Sequence, residues 1–113
     1  MPARDWRLRV QDAVESIERI ERYTAGLSFD AFAASELVID GVVRNLTTLG
    51  EVARLVPDDV AERTPHIAWD DMCAMRNFVV HAYHAVRLET VWETVCHDLP
   101  PLKRQLQDLL QAG

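Results

Sequence analysis

The chain has 113 residues, a length that predicts one domain over 1–113 with a single core. Its 49% hydrophobic and 27% charged residues are ordinary for a folded domain, and four Gly with no biased stretch argue against a linker-like or disordered chain. The formal charge of −6 excludes sequence-independent coating of nucleic acid, which needs a broad basic face, but leaves room for a local phosphate site built from one or two Arg. No run nears the roughly 18 apolar residues of a membrane span. The opening "MPARDWRLRV" has no signal-peptide pattern, so a cytoplasmic protein without membrane contact is expected. Cys73 and Cys96 form no CxxC pair and read as small buried hydrophobes of a reducing compartment.

The elements follow in chain order. Over roughly residues 5–24, Trp6, Val10, Ala13, Ile17 and Ile20 make one apolar helical stripe, and Gly26 is a natural stop. Ser28 is suited to cap a long helix over roughly 29–56, which Pro57 ends. Its wide apolar arc runs from Val38 to Val56. Opposite lies a narrow polar stripe of Asp40, Arg44, Thr47 and Glu51, while Asn45 falls on the apolar side and needs hydrogen-bond partners there. "PDDVAERTPHIAW" reads as a helical turn and a loop. Further helices are predicted over roughly 69–84 and 88–99, with Pro100–Pro101 breaking or bending the chain before a last short helix through Leu102, Leu106 and Leu109. No segment alternates with period two. The class is all-α, an up-and-down bundle of four or five helices.

The segment "CAMRNFVVHAYHAV" carries the unusual chemistry. Projected as a helix, Met72, Met75, Phe78, Val79 and Ala82 share the core arc, and Arg76, Asn77, His81 and His84 share the opposite one. Cys73 and Val80 are interleaved with the polar group, so that face reads as covered by another surface, with a site inside it. A twofold partner would bring two Arg and two His together. Arg offers a planar fork for phosphate, His can take or give a proton near neutrality, and Asn can orient either imidazole or substrate. These groups suit RNA cleavage without metal: a base activates the ribose 2′-hydroxyl, Arg stabilises the charged phosphorane, and an acid protonates the leaving oxygen. Scattered carboxylates and no convincing His pair suggest no metal site, and no cofactor is expected. On this pattern alone a structural dimer face outranks catalysis.

"MRNFVVHAYHAV" contains R-N-x-x-x-H-x-Y, which resembles the Rx4HxY motif of HepT-like toxins of the HEPN superfamily. "RLRVQDAVESIERIERYTAGLSFDAF", "DGVVRNLTTLGEVARLVPDD", "IAWDDMCAMRNFVVHAYHAV" and "LETVWETVCHDLPPLKRQL" also resemble that family, in its order. The resemblance implies a HEPN-like bundle that forms a homodimer with a composite cleft. It implies a metal-independent ribonuclease toxin of a type VII-like toxin–antitoxin system. By position, Arg76 and His81 match the catalytic pair and Asn77 the polar residue beside it. Tyr83 matches the tyrosine that a partner antitoxin, an MNT-type nucleotidyltransferase, modifies with AMP. His84 is extra to the motif. His84, Asp40, Arg44 and Glu51 are candidates for the cleft rim, the latter three also fitting an antitoxin contact or a solvated, salt-bridged face. The competing expectations are a non-catalytic helical partner of a nucleotidyltransferase, which the acidic charge favours, and a nucleotide-binding domain that holds phosphate without cleaving it.

Overall fold

A computed structural model describes residues 5–78 and 87–112, and these residues hold helices and no strand. Helix α1 spans Trp6–Thr24, begun by the Asp5 carboxylate, which accepts from the Arg7 N–H at 3.0 Å. Its predicted stripe is the buried one: Val10, Ala13, Ile17 and Ile20 are all fully inaccessible. The chain leaves α1 through Gly26 at φ 75°, a left-handed conformation that only Gly adopts without strain.

The predicted single helix from about 29 to 56 is two helices. Helix α2 is Phe29–Ala33 and α3 is Glu36–Leu55. Ser28 caps α2 as expected, its hydroxyl accepting from the Ala31 N–H at 3.1 Å. A second cap, Ser35, accepts from the Val38 N–H at 3.2 Å. A Ser hydroxyl competes with the backbone for such N–H groups, and here it restarts the helix in a new direction. Along α3, Val42, Leu46 and Leu49 are fully buried. Asn45 is buried among them and satisfied, its Nδ2 donating to the Gly41 carbonyl at 2.8 Å.

Helix α4 (Asp58–Arg63) and helix α5 (Trp69–Ala74) follow, then α6 (Leu88–Glu93), a π-helical turn (Thr94–Asp98) and α7 (Leu99–Ala112). Pro100 and Pro101 therefore do not end the helix. They stand in the first turn of α7, where N–H groups lack intrahelical partners in any case. The turn before them widens, with the Leu99 N–H donating to the Thr94 carbonyl five residues back. The wider turn also rotates the side chains. Val95 points inward and Cys96 is exposed, so Cys96 is not the buried hydrophobe expected; Cys73 is half-buried.

Helix α1 packs on α3 and α7, α3 packs on α5, and α2 packs on α3 and α6. The Phe32 ring is fully buried and lies 4.9 Å from the Trp92 ring, centroid to centroid. At the surface Lys103 Nζ meets Glu21 Oε1 at 2.8 Å, joining the start of α7 to the end of α1. No helix among the described residues is long and apolar enough to cross a membrane.

Candidate active site

The site is rooted in α5 and the turn after it. Helix α5 has no side-chain N-cap, but Asp70 and Asp71 place negative charge at the positive end of its first turn. Its orientation is fixed from inside. The Trp69 indole Nε1 donates to Thr64 Oγ1 at 3.0 Å, and Met72 and Met75 enter the core. Of the continuous helix expected over about 69–84, α5 ends at Ala74 and helix resumes at Asn77 and Phe78, the remainder of that span lying outside the described residues. Met75 and Arg76 form a tighter turn, with bonds from Met75 N to Met72 O, Arg76 N to Cys73 O and Phe78 N to Met75 O. In an α-helix, Arg76 would stand at the edge of the polar arc, about 40° round from Met72. Bonding at i to i+3 has about three residues per turn and swings the residue further outward. Arg76 and Asn77 are accordingly exposed, while Phe78 still packs on the core.

The Arg76 guanidinium faces α3. Its Nη1 is 3.8 Å from Glu51 Oε1, with both side chains about 45% exposed. The other Glu51 oxygen accepts from Arg54 Nη2 at 3.0 Å. Two guanidinium groups thus share one carboxylate, a local excess of positive charge on an acidic chain. At 3.8 Å the Arg76 contact is Coulombic rather than a hydrogen bond, and exposed pairs of this kind contribute at most about 1 kcal/mol. Such a weakly held guanidinium can exchange its carboxylate neighbour for a phosphate, which it grips in bidentate fashion.

The other candidates are placed as follows. Asp40 and Arg44 line a groove of about 840 Å³ between α1 and α3, together with Arg19, Tyr23 and Leu37. Arg44 precedes Glu51 by seven residues, about 10.5 Å along the helix. The polar stripe therefore serves two places: Glu51 meets Arg76, while Asp40 and Arg44 flank the groove. His81, Tyr83 and His84 lie outside the described residues. Among the described residues no group of three or more His, Cys, Asp and Glu is arranged to hold a metal ion. Two residues escaped sequence reasoning. Arg54 was signalled only by its i,i+3 spacing from Glu51. Gly50 was signalled only by being a helix-interior Gly, which costs about 1 kcal/mol relative to Ala.

Comparison with known proteins identifies the family. The family described as Ribonuclease HepT-like matches residues 13–109, which include Gly50, Glu51, Arg54 and the whole R-N-x-x-x-H-x-Y motif. The chain is 34% identical, over 88% of its length and 91% of the relative, to a protein of Thermococcus cleftensis named probable ribonuclease HepT. It is 30% identical, over 98% of its length and 92% of the relative, to a protein of Methanocaldococcus jannaschii whose name marks it as a candidate RNase. No solved structure matches. With the family matched over most of its length and its motif intact, the chain belongs to the HepT-like ribonuclease family.

Proposed function

We propose that the protein is the toxin of a toxin–antitoxin pair, an endoribonuclease that works without metal and is silenced by modification of Tyr83. The observation that carries this reading is Arg76, exposed and loosely paired with Glu51 among the described residues, inside the stretch that the family matches. His81 acts as the proton-transfer group. It removes the proton from a ribose 2′-hydroxyl, whose oxygen attacks the adjacent phosphorus. Arg76 stabilises the extra negative charge of the phosphorane, and the P–O5′ bond breaks as its oxygen takes a proton. The products are a 2′,3′-cyclic phosphate and a free 5′-hydroxyl. Two protomers joined across the motif face supply two imidazoles, one as base and one as acid, with Asn77 orienting them. The partner antitoxin is a nucleotidyltransferase of the MNT type. Nucleotide phosphates attached at Tyr83 bring bulk and negative charge to the Arg76 neighbourhood and compete with RNA for its guanidinium.

Induced expression without the antitoxin is expected to arrest growth, with His81→Ala or Arg76→Ala relieving the arrest. Undiminished toxicity of both variants defeats the catalytic assignment. Intact mass after co-expression with the transferase is expected to show added multiples of AMP, lost in Tyr83→Phe. The charge of −6 favours a second reading, a non-catalytic partner of the transferase. A purified protein that binds the transferase tightly and cleaves no RNA would select it.

A further inference from the structure

We infer that Gly50 is a positioning residue for Arg76: its missing side chain sets where the guanidinium stands. This rests on the reading of Arg76 as the group that meets the phosphate.

Gly50 lies buried in the C-terminal half of α3, still inside the helix, where Gly loses roughly 0.5–1 kcal/mol against Ala. Its backbone does not need the freedom of Gly, since Gly26 is the glycine with positive φ. Space is the reason. A Cβ at position 50 would stand 2.7 Å from the Arg76 backbone N, 2.7 Å from the Arg76 Cβ and 3.0 Å from the Cys73 carbonyl oxygen. None of these atoms can rotate away, because two are backbone and the third is fixed to it. Ordinary contact at 3.4–4 Å requires the turn carrying Arg76 to retreat from α3 by about an ångström. The next residue, Glu51, supplies the charge facing the Arg76 head. Consecutive residues of α3 therefore fix the root and the tip of the same side chain.

Gly41, in the same helix, provides the contrast. A Cβ there would meet two Tyr23 ring carbons at 3.1 Å, and that ring is a half-exposed side chain that can swing aside. Gly→Ala at 41 and at 50 removes the same flexibility from one helix. Only the change at 50 presses on the backbone of the site.

The test compares Gly50→Ala, Gly41→Ala and Arg76→Ala in the full chain. It uses single-turnover cleavage of a mixed-sequence oligoribonucleotide, the salt dependence of binding to its uncleavable 2′-O-methyl analogue, and thermal unfolding. A displacement of about 1 Å at a reacting centre costs on the order of 100-fold in rate. Gly50→Ala is expected to unfold cooperatively and to lose about that factor in cleavage rate. Its salt slope for binding should match the wild type, because the charge is present and only misplaced. Arg76→Ala should lose cleavage and also lower the slope by about 0.7, the loss of one phosphate contact to a single strand. Gly41→Ala should match the wild type in cleavage rate and salt slope, and unfold at the same or a somewhat higher temperature, as the flexibility lost with Gly predicts. Wild-type cleavage by Gly50→Ala, with Arg76→Ala inactive, overturns the positioning role and leaves the Arg76 reading standing. Loss of cooperative unfolding in Gly50→Ala also overturns it, by assigning Gly50 to the fold. Full cleavage and an unchanged slope in Arg76→Ala would instead defeat the reading on which the inference rests.

Discussion

Replacing Trp69 by Phe and Thr64 by Val, singly and together, probes the bond that roots α5 and hence Arg76. The two side chains are 8% and 7% exposed, and the indole N–H donates to the Thr64 hydroxyl at 3.0 Å. The hydroxyl's own proton goes to the Val60 carbonyl at 2.9 Å, so one oxygen connects α4 to α5. Thr64→Val leaves a buried indole N–H without an acceptor, which costs about 1–3 kcal/mol. Trp69→Phe removes the donor and part of a buried ring, for about 2–3 kcal/mol from packing and the lost bond. In the double variant no orphaned N–H remains, so most of the Thr64→Val cost disappears. The expected coupling is about 1–2 kcal/mol, the double variant being more stable than the sum of the singles predicts. Urea unfolding reads this directly, provided the slope m is common to all four proteins and only the midpoint moves. Additivity within about 0.5 kcal/mol would show that the Trp69–Thr64 bond does not hold α5, and the account of how Arg76 is oriented would fail with it.

Three further outcomes are expected. Ser16 is buried in α1 and its Oγ has no hydrogen-bond partner among the described residues, so Ser16→Ala should stabilise the fold by about 1 kcal/mol, from relieved desolvation and higher helix propensity; a destabilised variant in thermal unfolding contradicts this. Arg54→Ala leaves Arg76 facing Glu51 alone, without the second cation at that carboxylate. Taking about 6 Å from Arg54 to a bound phosphate, the lost attraction in water is about 0.7 kcal/mol, so RNA binding should weaken roughly threefold at low salt and hardly at all at high salt. An equal loss at all salt concentrations would mean that Arg54 acts by contact. Finally, a chain of charge −6 repels RNA at long range, so the association rate should rise as salt is added up to about 0.15 M, where the screening length is about 8 Å. A rate that falls steadily from the lowest salt in stopped-flow measurements refutes that balance.

The helices were legible in the sequence wherever one side chain's periodicity decided the matter. The stripe Val10, Ala13, Ile17, Ile20 is the buried face of α1, and Asn45 sits where its projection put it, satisfied by the carbonyl four residues back. Boundaries failed where a local competitor beat the period. Ser35 lies in an otherwise helical pattern, and nothing in the apolar spacing shows that its hydroxyl captures the Val38 N–H and divides the helix. Pro100 and Pro101 were expected to break or bend the chain, and the regular helix is interrupted directly before them. A proline breaks a helix interior but is accommodated in a first turn, and a widened π turn converts the one setting into the other. The exposure of Cys96 follows from that same turn.

The candidate site divides along a different line. Residue types within one segment announce chemistry, and Arg76, Asn77 and Glu51 were all singled out by type and face. What the sequence does not carry is the meeting of segments. Glu51 and Arg76 are 25 positions apart, and their 3.8 Å approach depends on how closely α3 and α5 pack. That closeness is set by a residue with no side chain to notice. A helix-interior Gly reads as a mild defect when its own helix is considered alone. Only with the Arg76 backbone 2.7 Å from its absent Cβ does the same residue become a distance-setter between two elements. Arg54 is similar: along α3 it reads as an ordinary i,i+3 partner of Glu51, and only the arrival of Arg76 at the opposite carboxylate oxygen turns the pair into a cationic cluster. A site of this kind concentrates positive charge within a few ångströms and leaves the rest of the surface acidic. Contact with phosphate then depends on geometry at short range, where screening by salt is weakest, and little on the net charge of the chain.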